Sequence, residues 1–292
     1  MKKALICLLL ALFIIPLVGC SSASNQVQIA CTTLPVYEFT SRICDNTDIS
    51  VGRLVNEEVS CLHDYTLQVS QMRMAESADA IVISGAGLES FLDDVLDESK
   101  VLIDASSNTH VHAGGHEHHH DDHGHEHEVD PHIWLSPENA KIMVENICNG
   151  LCQLYPSHTS DFENNAYALL RELDQLQLYG LDALSQLSCR ELVTFHDGFA
   201  YFAESFDLTI LKAVEEESGS EASALELIEL ITLVGEHQIP AVFTERNGST
   251  SAAEIICKET GTEVFMLDMA MSGNSYFDAM YNNIDAVKEA LE

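Results

Sequence analysis

Nine of the chain's 14 histidines fall in one stretch: His110, His112, His116, His118, His119, His120, His123, His125 and His127. Glycines and acids separate them, so the stretch cannot build a core of its own. Neutral imidazoles mixed with carboxylates suit the borderline transition ions zinc, copper and nickel. The expectation is a loop that collects or senses metal at several weak sites. Inside it, His116-Glu117-His118-His119-His120 satisfies the H-E-x-x-H pattern of zinc proteases. That chemistry needs a stable helix, with the two histidines one turn apart and the glutamate as base. Gly114-Gly115 before it and Gly124 after it argue against such a helix. In so histidine-rich a tract the match carries almost no information.

The other histidines are His63, His132, His158, His196 and His237. An isolated histidine is normally a surface or satisfied core residue, and His158 and His237 keep that assignment. Three stand in distinctive segments: Cys61-Leu62-His63-Asp64-Tyr65, Asp130-Pro131-His132-Ile133-Trp134-Leu135-Ser136-Pro137, and Thr194-Phe195-His196-Asp197-Gly198-Phe199.

The elements that must position these segments alternate short apolar runs with amphipathic ones. In the first half the pattern predicts strands at 28–32, 49–55, 80–84 and 101–103. Helices are expected at 36–43, 67–77 and 88–96, and from a Ser136-Pro137 cap to about 154. The second half repeats the rhythm, with strands at 191–195, 208–213, 241–244 and 264–267 and helices at 198–205, 222–237, 251–259 and 275–291. Such alternation implies parallel sheets covered on both faces. Between the halves, Leu169, Leu170, Leu173, Leu176, Leu181, Leu184 and Leu187 recur at helical spacing over 160–187. Gly180 is the weak point, costing about 1 kcal/mol against alanine. The stretch reads either as two consecutive helices or as one strut of about 40 Å joining two lobes.

The chain opens with Lys2 and Lys3, an apolar run over 4–18, and Leu17-Val18-Gly19-Cys20. This is the layout of a secretory signal. Its end resembles the lipobox of bacterial lipoproteins, with Cys20 as the lipidated residue. The expected organisation is a leader at 1–20, a tether at 21–27, a first α/β lobe at 28–158 holding the histidine loop at 110–127, a linking helix at 159–188 and a second α/β lobe at 189–292. The formal charge is −34. That excludes nucleic acid and docking on anionic lipid through a basic patch. Seven cysteines follow Cys20, at 31, 44, 61, 148, 152, 189 and 257, with no CxxC pair. Cys148 and Cys152 share one helix face, where two small buried apolar groups are the expected role.

The His63, His132 and His196 segments together resemble the zinc- and manganese-binding solute-binding proteins of bacterial ABC transporters, the ZnuA-like or cluster A-I family. The likeness runs over about 29–291 and is most specific from Asp130 to Pro137. It implies two α/β lobes, each with a parallel sheet flanked by helices, joined by a long rigid helix. It implies His63, His132 and His196 as metal-binding residues, with Asp268 in Phe265-Met266-Leu267-Asp268 as fourth donor and Glu245 as a nearby or alternative acid. The acidic residues Asp64, Asp130 and Asp197 adjoin the three histidines and are candidates to orient them. The sequence departs from the family's pattern at Leu62, where some members carry an acid, and at Asp268-Met269, where Asp-Pro is usual.

The function so implied has no catalytic step. The chain would be a lipid-anchored, extracytoplasmic, monomeric receptor that captures zinc between its lobes and delivers it to an ABC permease driven by a cytoplasmic ATPase. Manganese is the alternative cargo, favoured if Asp268 and Glu245 both bind, since it prefers oxygen donors. A surface adhesin on the same scaffold is the alternative role.

Overall fold

Strands so short and apolar are stable only where both their faces are covered. The computed structural model describes residues 27–57, 59, 62, 65–92, 99–112, 129–215, 223–246 and 250–292. Within these residues the chain forms two four-stranded sheets. The first has the order β2-β1-β3-β4, from β1 Ile29–Cys31, β2 Val51–Arg53, β3 Ala80–Ile83 and β4 Val101–Asp104. The second has the order β6-β5-β7-β8, from β5 Glu191–His196, β6 Thr209–Glu215, β7 Ala241–Glu245 and β8 Glu263–Leu267. Every pairing is parallel. In both sheets the chain starts centrally, adds a strand on one side and then crosses to the other. A switch point therefore lies between β1 and β3, and another between β5 and β7. At such points the loops leaving the carboxyl ends diverge and open a crevice.

Eight α-helices accompany the sheets among the described residues: α1 Leu34–Ile43, α2 Val69–Ser77, α3 Pro137–Leu154, α4 Thr159–Ala183, α5 Ala200–Ser205, α6 Ala224–His237, α7 Ser251–Thr260 and α8 Tyr276–Leu291. α3 begins where its sequence says it should: Ser136 accepts a hydrogen bond from the Asn139 N–H, and Pro137 fills the first helical position. The expected helix at 88–96 is only a 3-10 turn over Ser90–Leu92 as far as it is described. There the Glu89 carboxylate turns inward to accept the backbone N–H groups of Ser84 and Gly85.

α4 is one continuous helix that runs through Gly180. A Cβ at Gly180 would lie 2.2 Å from Cε1 of Phe206. The missing methyl is what lets the Phe206 ring lie against the helix, so packing outweighs helix propensity. At 1.5 Å per residue the strut is about 37 Å long.

One buried cluster extends from Ile29 through Trp134 and the α4 leucines to Leu291, so both lobes share a core. The segment after β8 is bonded across the seam. Trp134 Nε1 donates to the Met269 carbonyl at 2.7 Å, and Leu34 N–H donates to the Met271 carbonyl at 3.3 Å. Arg53 donates to the Gly273 carbonyl at 2.9 Å. Tyr276 donates its hydroxyl to the Trp134 carbonyl at 2.8 Å, and its N–H to Glu38 at 2.6 Å.

Cys148 and Cys152 both pack in the shared core, and the six described cysteines are free thiols. Burial pushes the Cys148 and Cys44 thiols up to about 12, so they behave as small apolar groups. No helix of the described residues is long and apolar enough to cross a membrane. The leader with Cys20, the tether up to residue 26, His63, Asp64 and the tract histidines from His116 to His127 lie outside the described residues.

Candidate metal centre

His132 comes from the first lobe, in the loop that feeds the 3-10 turn Ile133–Leu135 and α3. Pro131 before it and the buried Trp134 after it fix that loop. His196 is the last residue of β5 in the second lobe, at the β5/β7 switch point. Both side chains are almost wholly buried. Their Nε2 atoms face one another at 3.4 Å, and their rings meet edge to face with centroids 5.2 Å apart.

Each imidazole has a carboxylate on its other side. Asp130 Oδ1 lies 2.8 Å from His132 Nδ1 and also accepts the His132 N–H at 3.0 Å. Glu245, the last residue of β7, places Oε1 3.5 Å from His196 Nδ1 and is itself buried. The carboxylate hydrogen-bonded at His132 Nδ1 selects the tautomer with the proton on that side, and Glu245 at 3.5 Å favours the same form of His196. That tautomer leaves Nε2 with a free lone pair and makes it a better donor. The result is two nitrogen donors aimed at a common point from two lobes.

That spacing is chemically informative. Two Zn–N bonds of about 2.05 Å at the tetrahedral angle put their nitrogens about 3.3 Å apart. The observed 3.4 Å fits a shared ion. Gly198 makes the convergence feasible. A Cβ there would come within 2.6 Å of Met269 Cε, 2.8 Å of His196 Cδ2 and 3.0 Å of His132 Nδ1. The second lobe's loop passes this closely only because the residue is glycine.

Asp268 follows β8 directly and also sits at a carboxyl strand end. Its carboxylate is already engaged: Oδ2 accepts from Arg246 at 2.9 Å, and Oδ1 accepts the Ala270 N–H at 2.9 Å. The latter closes the local turn in place of a proline, with Ala270 left-handed at φ 54°. Asp268 does not come within 4.8 Å of both His132 and His196 as a ligand group.

The described residues on either side of His63 are Leu62 and Tyr65. Leu62 is fully buried. Tyr65 donates to Glu57 at 2.7 Å, and Gln71 donates to the Tyr65 hydroxyl at 2.7 Å and to the Leu54 carbonyl at 2.8 Å. At the first sheet's switch point lies a polar cluster that the sequence did not announce. Thr33 and Ser84 hydroxyls are 2.8 Å apart, and Glu89 accepts from Thr32 at 2.7 Å, Ser84 N–H at 2.7 Å and Gly85 N–H at 3.0 Å. Burial nevertheless pushes Glu89 up to about 7, against the pull of these hydrogen bonds. Of the two bland histidines, His237 meets Glu191 at 3.0 Å and His158 meets Asp48 at 3.1 Å, both away from the cleft.

Comparisons with known proteins bear on this geometry. The family model of the periplasmic zinc-uptake complex component A, ZnuA, matches residues 29–290. The zinc-binding lipoprotein AdcA of Streptococcus pneumoniae is 31% identical, in an alignment covering 100% of this chain and 62% of the relative. The zinc-binding protein AdcA of Streptococcus pyogenes is 29% identical over 91% of this chain and 56% of its own length. The chain thus spans about three-fifths of the length of these curated relatives. A crystal structure of ZnuA superposes with a TM-score of 0.80 at 28% identity, covering 90% of this chain and 98% of that one.

Proposed function

The chain belongs to the ZnuA family of zinc-uptake components, and on that premise we propose that it is the extracytoplasmic receptor of an ABC importer, with zinc as its cargo. His132 and His196 supply two imidazoles, His63 the third, and Asp268 the fourth donor after exchanging Arg246 for the ion. The single observation that carries this reading is the 3.4 Å Nε2–Nε2 separation between two buried imidazoles from opposite lobes. Asp130 and Glu245 stay on the far sides of the rings and orient them.

That placement also bears on the choice of ion. Manganese prefers more oxygen donors. With Glu245 on the Nδ1 side of His196, 3.5 Å away, the proposed donor set is three nitrogens and one oxygen, which suits tetrahedral zinc. A set closed by four protein donors leaves no position for an attacking water, so the role is carriage without turnover. The protein is anchored through lipid on Cys20 and acts as a monomer. It hands the ion to a membrane permease powered by a cytoplasmic ATPase.

The test is competitive zinc and manganese titration of the reduced mature protein with residues 110–127 deleted, followed by metal analysis after dialysis. This protein should retain one zinc against excess manganese, and His132→Ala and His196→Ala in the same background should each lose it while staying folded. Retention of zinc by both variants, or replacement of zinc by manganese in the parent, would overturn the assignment.

A further inference from the structure

The described residues contain one compact group of three or more His, Cys, Asp or Glu ligand atoms, and it lies outside the cleft: His110, His112 and Glu204, whose ligand atoms all lie within 4.8 Å of one another. The two histidines open the histidine-rich stretch in the first lobe, and Glu204 projects from α5 in the second. We propose that these three residues form a second, weaker metal site that clips the two lobes together across their seam, taking a borderline divalent ion such as zinc or copper. The proposal is independent of what the cleft binds.

Three observations carry it. First, the donors converge on one another. His112 Nε2 is 2.9 Å from Glu204 Oε2, His110 Nε2 is 3.6 Å from the same oxygen, and the two imidazole centroids are 5.0 Å apart. Second, His112 Nε2 is buried from solvent yet makes no hydrogen bond. Glu204 approaches it closely but not along a hydrogen-bonding direction, as expected of two donors aimed at a third centre between them. Third, the backbone beneath the ligands is fixed. Asn139 brackets His110, accepting its N–H at 2.9 Å and donating to its carbonyl at 2.8 Å. Tyr201 accepts the His112 N–H at 2.9 Å, and its ring lies against the His112 imidazole with centroids 4.4 Å apart. Asp130 N–H donates to the His112 carbonyl at 3.2 Å, closing a neck.

Two nitrogens and one oxygen suit zinc or copper, and three donors leave positions for water, so affinity should fall below that of a four-donor site. Because Glu204 stands across the seam from both histidines, an ion here binds only while the lobes stay in contact. Binding to the folded state alone must then raise thermal stability. The Tyr201 hydroxyl also donates to the Asp130 carbonyl at 2.7 Å, and Asp130 holds His132. Occupancy would therefore stiffen the support of a cleft ligand.

The experiment uses full-length mature protein with His196→Ala and with the seven tract histidines from His116 to His127 changed to serine. Cu(II) serves as a spin probe and zinc as its competitor. One equivalent of Cu(II) should show two imidazole nitrogens by electron paramagnetic resonance, and zinc should displace it and raise the Tm. Adding His112→Ala or Glu204→Gln should weaken binding roughly tenfold or more and abolish the zinc-dependent rise in Tm. In otherwise unaltered protein, Glu204→Gln should leave one tight zinc in place. The proposal is overturned if no two-nitrogen signal appears, or if Glu204→Gln leaves both the Cu(II) affinity and the Tm shift unchanged.

Discussion

Gly198→Ala is the sharpest probe of the cleft, because it adds one methyl group and removes no donor. The new Cβ would sit 2.6 Å from Met269 Cε, 2.8 Å from His196 Cδ2 and 3.0 Å from His132 Nδ1. Ordinary carbon contacts are at about 3.5–4.0 Å. Met269 is unbranched and can swing its methyl away. The imidazoles have less freedom, since both are buried and His132 is held at Nδ1 by Asp130, with Glu245 3.5 Å from His196 Nδ1. To restore contact distance, His196 must retreat by roughly 0.7 Å or more. Metal sites tolerate about 0.2 Å of error in ligand distance. The expected result is a loss of zinc affinity of about 10–100-fold, the size seen when ligand-orienting groups are disturbed. Apo stability should fall by about 1–3 kcal/mol from overpacking.

Competition with a chromophoric chelator gives the affinity, and urea melts of the apo protein give the stability. A second variant separates the two contacts: Gly198→Ala with Met269→Ala removes the 2.6 Å clash but keeps both histidine clashes. It should stay weak for zinc. Wild-type affinity in a folded Gly198→Ala protein would refute the claim that both histidines share one ion beside this glycine. Recovery of zinc binding in the double variant would move the cause to Met269.

Three further outcomes follow from the same geometry. Asp130→Ala and Glu245→Gln should each lower the affinity for the tightest zinc about 10–100-fold while leaving the number of bound ions unchanged, read by calorimetry; unchanged affinity in both would remove their orienting role. Gly180→Ala should destabilise the protein by a net 1–2 kcal/mol or so in urea melts, since overpacking against Phe206 exceeds the roughly 1 kcal/mol gained in helix propensity; a more stable variant would mean that α4 and Phe206 are not in tight contact. Glu89, pushed up to about 7 from 4.5, holds its proton more tightly when folded, so its contribution favours folding below the ordinary glutamate range and is lost as pH rises to about 7. Apo wild type should therefore lose a few kcal/mol relative to Glu89→Gln between pH 5 and 8, and a constant gap across that range would contradict the burial of this carboxyl.

Local signals in the sequence were enough for the strand–helix alternation, the Ser136-Pro137 helix start and the segments around His132 and His196. Each depends on periodicity or on neighbours a few residues away. What stayed hidden depends on long-range placement. The acids adjoining the histidines were equal candidates to orient them, and Asp130 does hold His132. The carboxylate 3.5 Å from His196 Nδ1, however, is Glu245, which reaches it from the neighbouring strand β7. Gly180 looked like a flaw in a helix because its partner, Phe206, lies 26 residues on. Glu204 carried no signal at all, since an exposed glutamate on a six-residue helix is unremarkable until two histidines from the other lobe are set beside it.

The same long-range contacts bear on how an ion could leave. A receptor that opened by wide hinge motion would have to break the bonds from Trp134 to Met269, Tyr276 to Trp134, Arg53 to Gly273 and Leu34 to Met271, and then expose part of a core common to both lobes. Each buried bond left unpaired costs about 1–3 kcal/mol, before any apolar area is counted. Release through smaller changes is far cheaper. Asp268 already has a second partner in Arg246, which is mostly exposed and can take the carboxylate back as the metal departs. Exchange at that one carboxylate leaves the seam intact. Solution scattering should accordingly give nearly the same radius of gyration with and without zinc, whereas a large closure on binding would show that the seam contacts are not maintained through the cycle.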